Sequence, residues 1–197
     1  MVRVVPERQS EMDVYVDGRI LRSDGEVLEL EVTVQDSTGK TWYTRQYEGI
    51  ASKYAYDNSI RSLGEEPFQG VYNDIANDIL QYRQKLEGGE IANIRTITEL
   101  KFARQFSPEA FNDHIEVDRR GRYVVKRLPA ETDPTLERIR VIKQRDDMFV
   151  DTLQDYYIAF ENDMEDPYRE WRRMSYEETL ALRQLRAEAS DMSENDM

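Results

Sequence analysis

A chain of 197 residues with 39% hydrophobic and 34% charged side chains can bury the core of an ordinary domain and is too apolar to be intrinsically disordered. Its formal net charge of −13 repels phosphate backbones and anionic lipid headgroups over a Debye length of about 8–10 Å, which sets nucleic acid aside as a partner. Cysteine is absent, so disulfides, thiolate metal sites and cysteine nucleophiles are excluded together, while the cellular compartment stays open.

The first ten residues, MVRVVPERQS, lack the apolar core of an export signal, and no run of about 18 apolar residues predicts a membrane-spanning helix. Period-2 alternation then marks strands at Val14 and Val16, from Val27 and Leu28 through Leu30, Val32 and Val34, and from Trp42 and Tyr43 to Tyr47. Asp24-Gly25 and Asp36-Ser37-Thr38-Gly39 supply residues that tolerate positive φ or hydrogen-bond their own backbone, so each closes an antiparallel hairpin.

At Pro67 the period changes. Phe68, Val71, Tyr72, Ile75, Ala76, Ile79, Leu80 and Leu86 follow helical spacing, which predicts an amphipathic helix over 67–87, ended by Gly88-Gly89 and covering the sheet. A second helix is expected over 91–105, with Ser107-Pro108 opening a short helical turn. Ile115 and Val117 facing Tyr123 and Val125 across a glycine-containing loop read as a second hairpin.

From Asp133-Pro134 the spacing predicts a helix to about Glu165, with one apolar stripe through Leu136, Ile139, Ile142, Phe149, Leu153, Tyr156, Tyr157, Phe160 and Met164. Asp146 interrupts that stripe. Asp166-Pro167 is expected to break the helix, and Ser175 to Glu178, a capping-box pattern, to open a last helix reaching about Ala189. The fold class predicted is α+β: an N-terminal antiparallel sheet covered by helices, within residues 1–131, then a helical extension over 132–190 and a disordered tail over 191–197.

Several side-chain groups bear on function. His114, Glu116 and Asp118 would share one strand face, as an oxygen-rich metal site with one imidazole or as an ordinary solvated edge. Asp147, Asp151 and Asp155 lie four apart on one helical face beside Asp146, which suits acid–base chemistry, a divalent cation or a plain solvated face. Arg119, Arg120, Arg122, Lys126 and Arg127 make a basic hairpin with no interleaved aromatic residues for stacking on bases. Tyr156, Tyr157, Phe160, Tyr168 and Trp171 form the densest aromatic segment and read as a helix core or as anchors for a protein partner or a second copy. No glycine-rich phosphate loop or nucleophile elbow is present, and no cofactor is expected.

Residues Asp13-Val14-Tyr15-Val16-Asp17-Gly18-Arg19-Ile20, and the strand ending Asp36-Ser37-Thr38-Gly39-Lys40-Thr41-Trp42, resemble a pattern of bacterial envelope proteins. In that pattern an aspartate-apolar-apolar-x-glycine strand precedes one ending in D-x-T-G-x-x-W. It is shared by the curli-secretion lipoproteins, the lipoprotein activators of penicillin-binding proteins and the N-terminal domain of TolB. The likeness covers residues 13–87, with a helix where Ile75-Ala76-Asn77-Asp78-Ile79 stands. It implies a non-enzymatic adaptor of the periplasm or the inner face of the outer membrane, sometimes oligomeric, with any lipid-bearing cysteine upstream of these residues. The alternative expectation is a carboxylate-dependent, metal-assisted hydrolase using Asp147 and Asp151.

Overall fold

The computed structural model describes Val4 and residues 12–52, 54–56 and 66–195, with side chains to residue 190. Strands β1 (Val14–Ser23), β2 (Val27–Asp36) and β3 (Thr41–Ile50) form one antiparallel sheet in the order β1-β2-β3. Helices α1 (Gln69–Lys85), α2 (Gly88–Phe106) and the single turn α3 (Pro108–Phe111) follow, then a 3-10 turn at Asn112–His114. Strands β4 (Ile115–Val117) and β5 (Tyr123–Val125) pair antiparallel with Ile115 opposite Val125 and Val117 opposite Tyr123. Helix α4 (Pro134–Asn195) completes the chain, giving the α+β class that the two periodicities predict.

Contacts gather the described residues into two compact units. One takes those within Met1–Asp17, Thr33–Thr44 and Asp78–Phe160, the other those within Gly18–Val32, Arg45–Asn77 and Glu161–Met197. Strands β1, β2 and β3 and helices α1 and α4 each contribute residues to both units, whereas β4 and β5 lie in the first.

In the first unit the core is apolar. Leu100, Phe102, Ala103, Phe111, Ile115, Leu136 and Ile139 are buried together, with Tyr123 and Val125 packed against them, each large side chain contributing roughly 1.5–3 kcal/mol by leaving water. The turn at Asp36 is sunk into this unit. Asp36 accepts hydrogen bonds from the Thr38 and Lys40 backbone N–H groups, the Thr38 hydroxyl and the Trp42 indole N–H, at 2.5–3.3 Å. The Ser37 hydroxyl donates to the Ile94 carbonyl at 2.7 Å, and the Tyr123 N–H to the Thr38 carbonyl at 2.8 Å, so the turn is bonded to α2 and β5.

In the second unit Asp24 Oδ1 accepts from the Val27 and Glu26 N–H groups at 2.8 and 3.1 Å, closing the β1–β2 turn. Gly25 sits at φ +79°, and a Cβ there would lie 2.4 Å from the Arg172 carbonyl oxygen and 2.7 Å from the Tyr176 nitrogen. Only glycine allows this turn to press against the backbone of α4. Gly49 on β3 makes room for a side chain, since a Cβ there would lie 2.5 Å from the Val71 Cγ2 methyl.

The structure departs from the sequence reading in several places. Gly88 and Gly89 begin α2 rather than end α1, because Glu87 caps the helix and Glu90 reaches back to accept from the Glu87 N–H at 3.1 Å. In β1 the buried side chain is Tyr15, with Val16 exposed, the larger ring taking the inward position. Helix α4 runs unbroken past Pro167. A mid-helix proline leaves the carbonyl four residues before it without a donor, but residues 161–168 are exposed, so water can satisfy it. The tail expected at 191–197 is helical through Asn195, and residues 196–197 lie outside the described ones.

Candidate functional site

Helix α4 begins with Asp133 as its cap, whose Oδ1 accepts from the Thr135 and Leu136 N–H groups at 2.8 and 3.2 Å. Within the first unit, Leu136, Ile139 and Val150 are buried, the Lys143 ammonium lies 5.3 Å from the Phe102 ring centroid, and Arg140 donates to Glu99 at 2.6 Å. Those contacts fix one face of the helix. The apolar stripe read from the sequence therefore splits in two: Leu136 and Ile139 face the core, joined by Val150, while Ile142, Phe149, Tyr156, Tyr157 and Phe160 are exposed. Tyr156 is 70% and Phe160 63% exposed.

The second unit holds the other two aromatic candidates. Tyr168 and Trp171, 47% and 49% exposed, stack with ring centroids 5.6 Å apart. Beneath them Arg172 is buried, its guanidinium 4.6 Å from the Tyr168 centroid and paired through both terminal nitrogens with the Glu66 carboxylate. The Glu66 hydrogen bond raises the Arg172 pKa against the opposing pull of burial. Met164, Met174, Leu182 and Leu185 are also exposed on this part of α4.

The carboxylate and histidine groups are placed as follows. Asp147 lies 3.7 Å from the Lys143 ammonium one turn earlier, Asp151 is half-buried and Asp155 exposed. His114 is buried, its Nδ1 2.7 Å from the Arg127 carbonyl and its ring 5.5 Å from Phe111. Asp118 turns to its own loop, accepting from the Arg120 and Arg122 N–H groups and from the Arg122 guanidinium, bonds that hold its pKa below the usual carboxylate range. Among the described residues no three histidine or carboxylate side chains are grouped to hold a metal ion, and no helix is long and apolar enough to cross a membrane.

Two features escaped sequence reasoning. A cleft of about 250 Å³ in the first unit is lined by Thr38, Lys40, Glu90, Asn93, Arg122 and Tyr123, among others. Its charges are matched: Lys40 donates to Glu90 at 3.3 Å, and Arg122 is bound to Asp118. The Tyr123 ring has Lys101 and Arg104 over it at 4.6 and 5.5 Å, so the hairpin does carry an aromatic, already occupied by cations of α2. Tyr123 itself stands between Arg122 and Lys126 in the sequence, but the cleft and the cations over the ring have no local signal, because their members come from segments tens of residues apart. Comparison with protein-family models, curated proteins and solved structures gave no match to this chain.

Proposed function

We propose that this is a non-enzymatic binding or scaffolding protein of the bacterial cell envelope, in the periplasm or at the inner face of the outer membrane, that engages a protein partner or another copy of itself through exposed faces of α4. One observation carries the binding reading: Tyr156, Tyr157 and Phe160 in one unit, and Tyr168 and Trp171 in the other, stand exposed on a helix that, among its described residues, is buried only at Leu136, Ile139 and Val150 in the first unit and at Arg172 in the second. Large aromatic side chains lose solvent-exposed apolar area when covered and dominate binding hot spots. The support for the envelope is the strand-and-turn pattern of residues 13–42, with a lipid tether as the form of attachment it suggests.

Fractionation of cells expressing the native gene, followed by cross-linked capture from the envelope fraction, tests both halves. The expected result is a partner retained by wild type and by Asp147→Asn/Asp151→Asn, and lost from Tyr157→Ala/Phe160→Ala/Trp171→Ala, with unchanged circular dichroism throughout. Cytoplasmic recovery would remove the envelope assignment. Hydrolytic turnover lost by orders of magnitude in the Asp147→Asn/Asp151→Asn protein would replace the binding reading.

A further inference from the structure

Within the first unit, Ile142, Asp146, Phe149, Leu153, Tyr156 and Phe160 follow one another at steps of four, three, four, three and four, the seam spacing of a two-helix coil. At 3.6 residues per turn this line lies about a quarter-turn round α4 from the buried Leu136, Ile139 and Val150, so the helix carries a second seam, with Ile142, Phe149, Tyr156 and Phe160 exposed and Asp146 and Leu153 half-buried. Phe149, Tyr156 and Phe160 are each more than 60% exposed.

We propose that this seam is the interface of a homodimer in which α4 of a second copy lies antiparallel, with Ile142 opposite Phe160, Asp146 opposite Tyr156 and Phe149 opposite Leu153. The inference rests on the binding reading for Tyr156 and Phe160 and names the partner for that segment. The polar residue selects the occupant and its direction. Asp146, half-buried on the seam, makes no hydrogen bond or ion pair among the described residues. In the antiparallel register its carboxylate meets the Tyr156 hydroxyl, a donor that needs an acceptor once covered. A parallel register would stack Asp146 on Asp146, placing like charges at a buried seam position. The flanks do not oppose it, since Arg145 falls beside the uncharged Thr152 and Ala159 of the second copy.

The area also suits a second copy. With roughly 150–250 Å² for each fully exposed aromatic, the exposed parts of Phe149, Tyr156 and Phe160 present about 290–490 Å² per copy. A total of about 600–1,000 Å² lies in the range of weak, transient interfaces and fits a reversible dimer.

Sedimentation velocity on the purified full chain between about 1 and 100 µM, the range for an interface of this size, should show reversible dimerisation. Phe149→Asp/Phe160→Asp should weaken it by at least about 100-fold, while Leu185→Ala, an exposed position of α4 off the seam, leaves it unchanged. The absence of native cysteine allows a separate register test under mild oxidation. Ile142→Cys mixed with Phe160→Cys should yield the mixed disulfide dimer, with little of either like-with-like product. A chain monomeric at about 100 µM, a dimer indifferent to the aspartates, or like-with-like disulfides only would each overturn the proposal. Because only the purified protein is present, a monomer that still captures an envelope partner would sink the homodimer and leave the binding function standing.

Discussion

The buried contacts of helix α4 are apolar in the first unit, beside a partly exposed Arg140–Glu99 pair, and are made by charge and backbone in the second. Leu136 and Ile139 enter an apolar cluster with Phe102 and Phe111, whereas Arg172 binds Glu66, Arg183 binds Glu26, the Thr179 hydroxyl donates to the Asp24 carbonyl, and Gly25 abuts the helix backbone. Apolar contacts respond to the size of a side chain and are nearly blind to salt and pH. Polar contacts respond to single atoms and protons. One helix therefore carries two anchorages with different failure modes.

The sharpest way to break that contrast is Phe102→Ala, which should cost about 3–5 kcal/mol in denaturant unfolding and do so equally at low and high salt. A loss below about 1 kcal/mol would mean that the cluster yields without a cavity. Next, Glu66→Gln should cost about 2–3 kcal/mol by leaving the buried Arg172 guanidinium uncompensated, a value discounted because Glu66 is partly exposed. Arg172→Met should cost less, since Glu66 can then turn to water. The reverse order would show that the arginine acts by packing.

Gly25→Ala should cost about 2 kcal/mol through positive φ and overpacking, with hydrogen exchange accelerating at residues 172–183. Unchanged exchange there would detach the turn from the anchorage of α4.

The smallest effect at neutral pH belongs to Tyr56, whose hydroxyl donates to the Gly25 carbonyl at 2.6 Å and whose ring lies 5.3 Å from Tyr176. Burial pushes its pKa up to about 12. A raised tyrosine pKa means stability fully present below the unfolded value near 10 and lost as pH climbs through the folded one. Wild type should weaken between about pH 10 and 12, and Tyr56→Phe should flatten that slope. In acid the sign reverses: Asp24, shifted up by burial but further down by the Val27 N–H and the Arg22 side chain, has a net depressed pKa. Its contribution is present above the usual aspartate range and fades as pH falls through the depressed value.

Local chemistry was readable where a few neighbouring residues decide the outcome. Asp24-Gly25 and Asp36 to Gly39 foretold both hairpins, and Gly25 and Gly39 do adopt positive φ. The burial of the second turn was not readable, because Ile94 and Tyr123, which bind it, lie far along the chain. Pro167 misled, since the penalty that makes proline a helix breaker is relieved where solvent reaches the backbone. The stripe on α4 misled in another way. Steps of three and four mark apolar positions without saying how many faces they divide into, so Phe149 and Ile139 look alike until the core that takes only one of them is known. The Arg172–Glu66 pair, separated by 106 residues, had no sequence signal.

The placement of the two tryptophans makes the molecule its own optical reporter. Trp42, in the first unit, is buried, stacked on Tyr82 at 4.8 Å and bonded through its indole N–H to Asp36. Trp171, in the second, stands half in water beside Tyr168. Acrylamide should quench the second emitter and spare the first. Trp171→Phe leaves a fluorophore that follows the apolar unit alone, and Trp42→Phe one that follows the polar unit alone, so the two melting curves can be recorded without adding a dye.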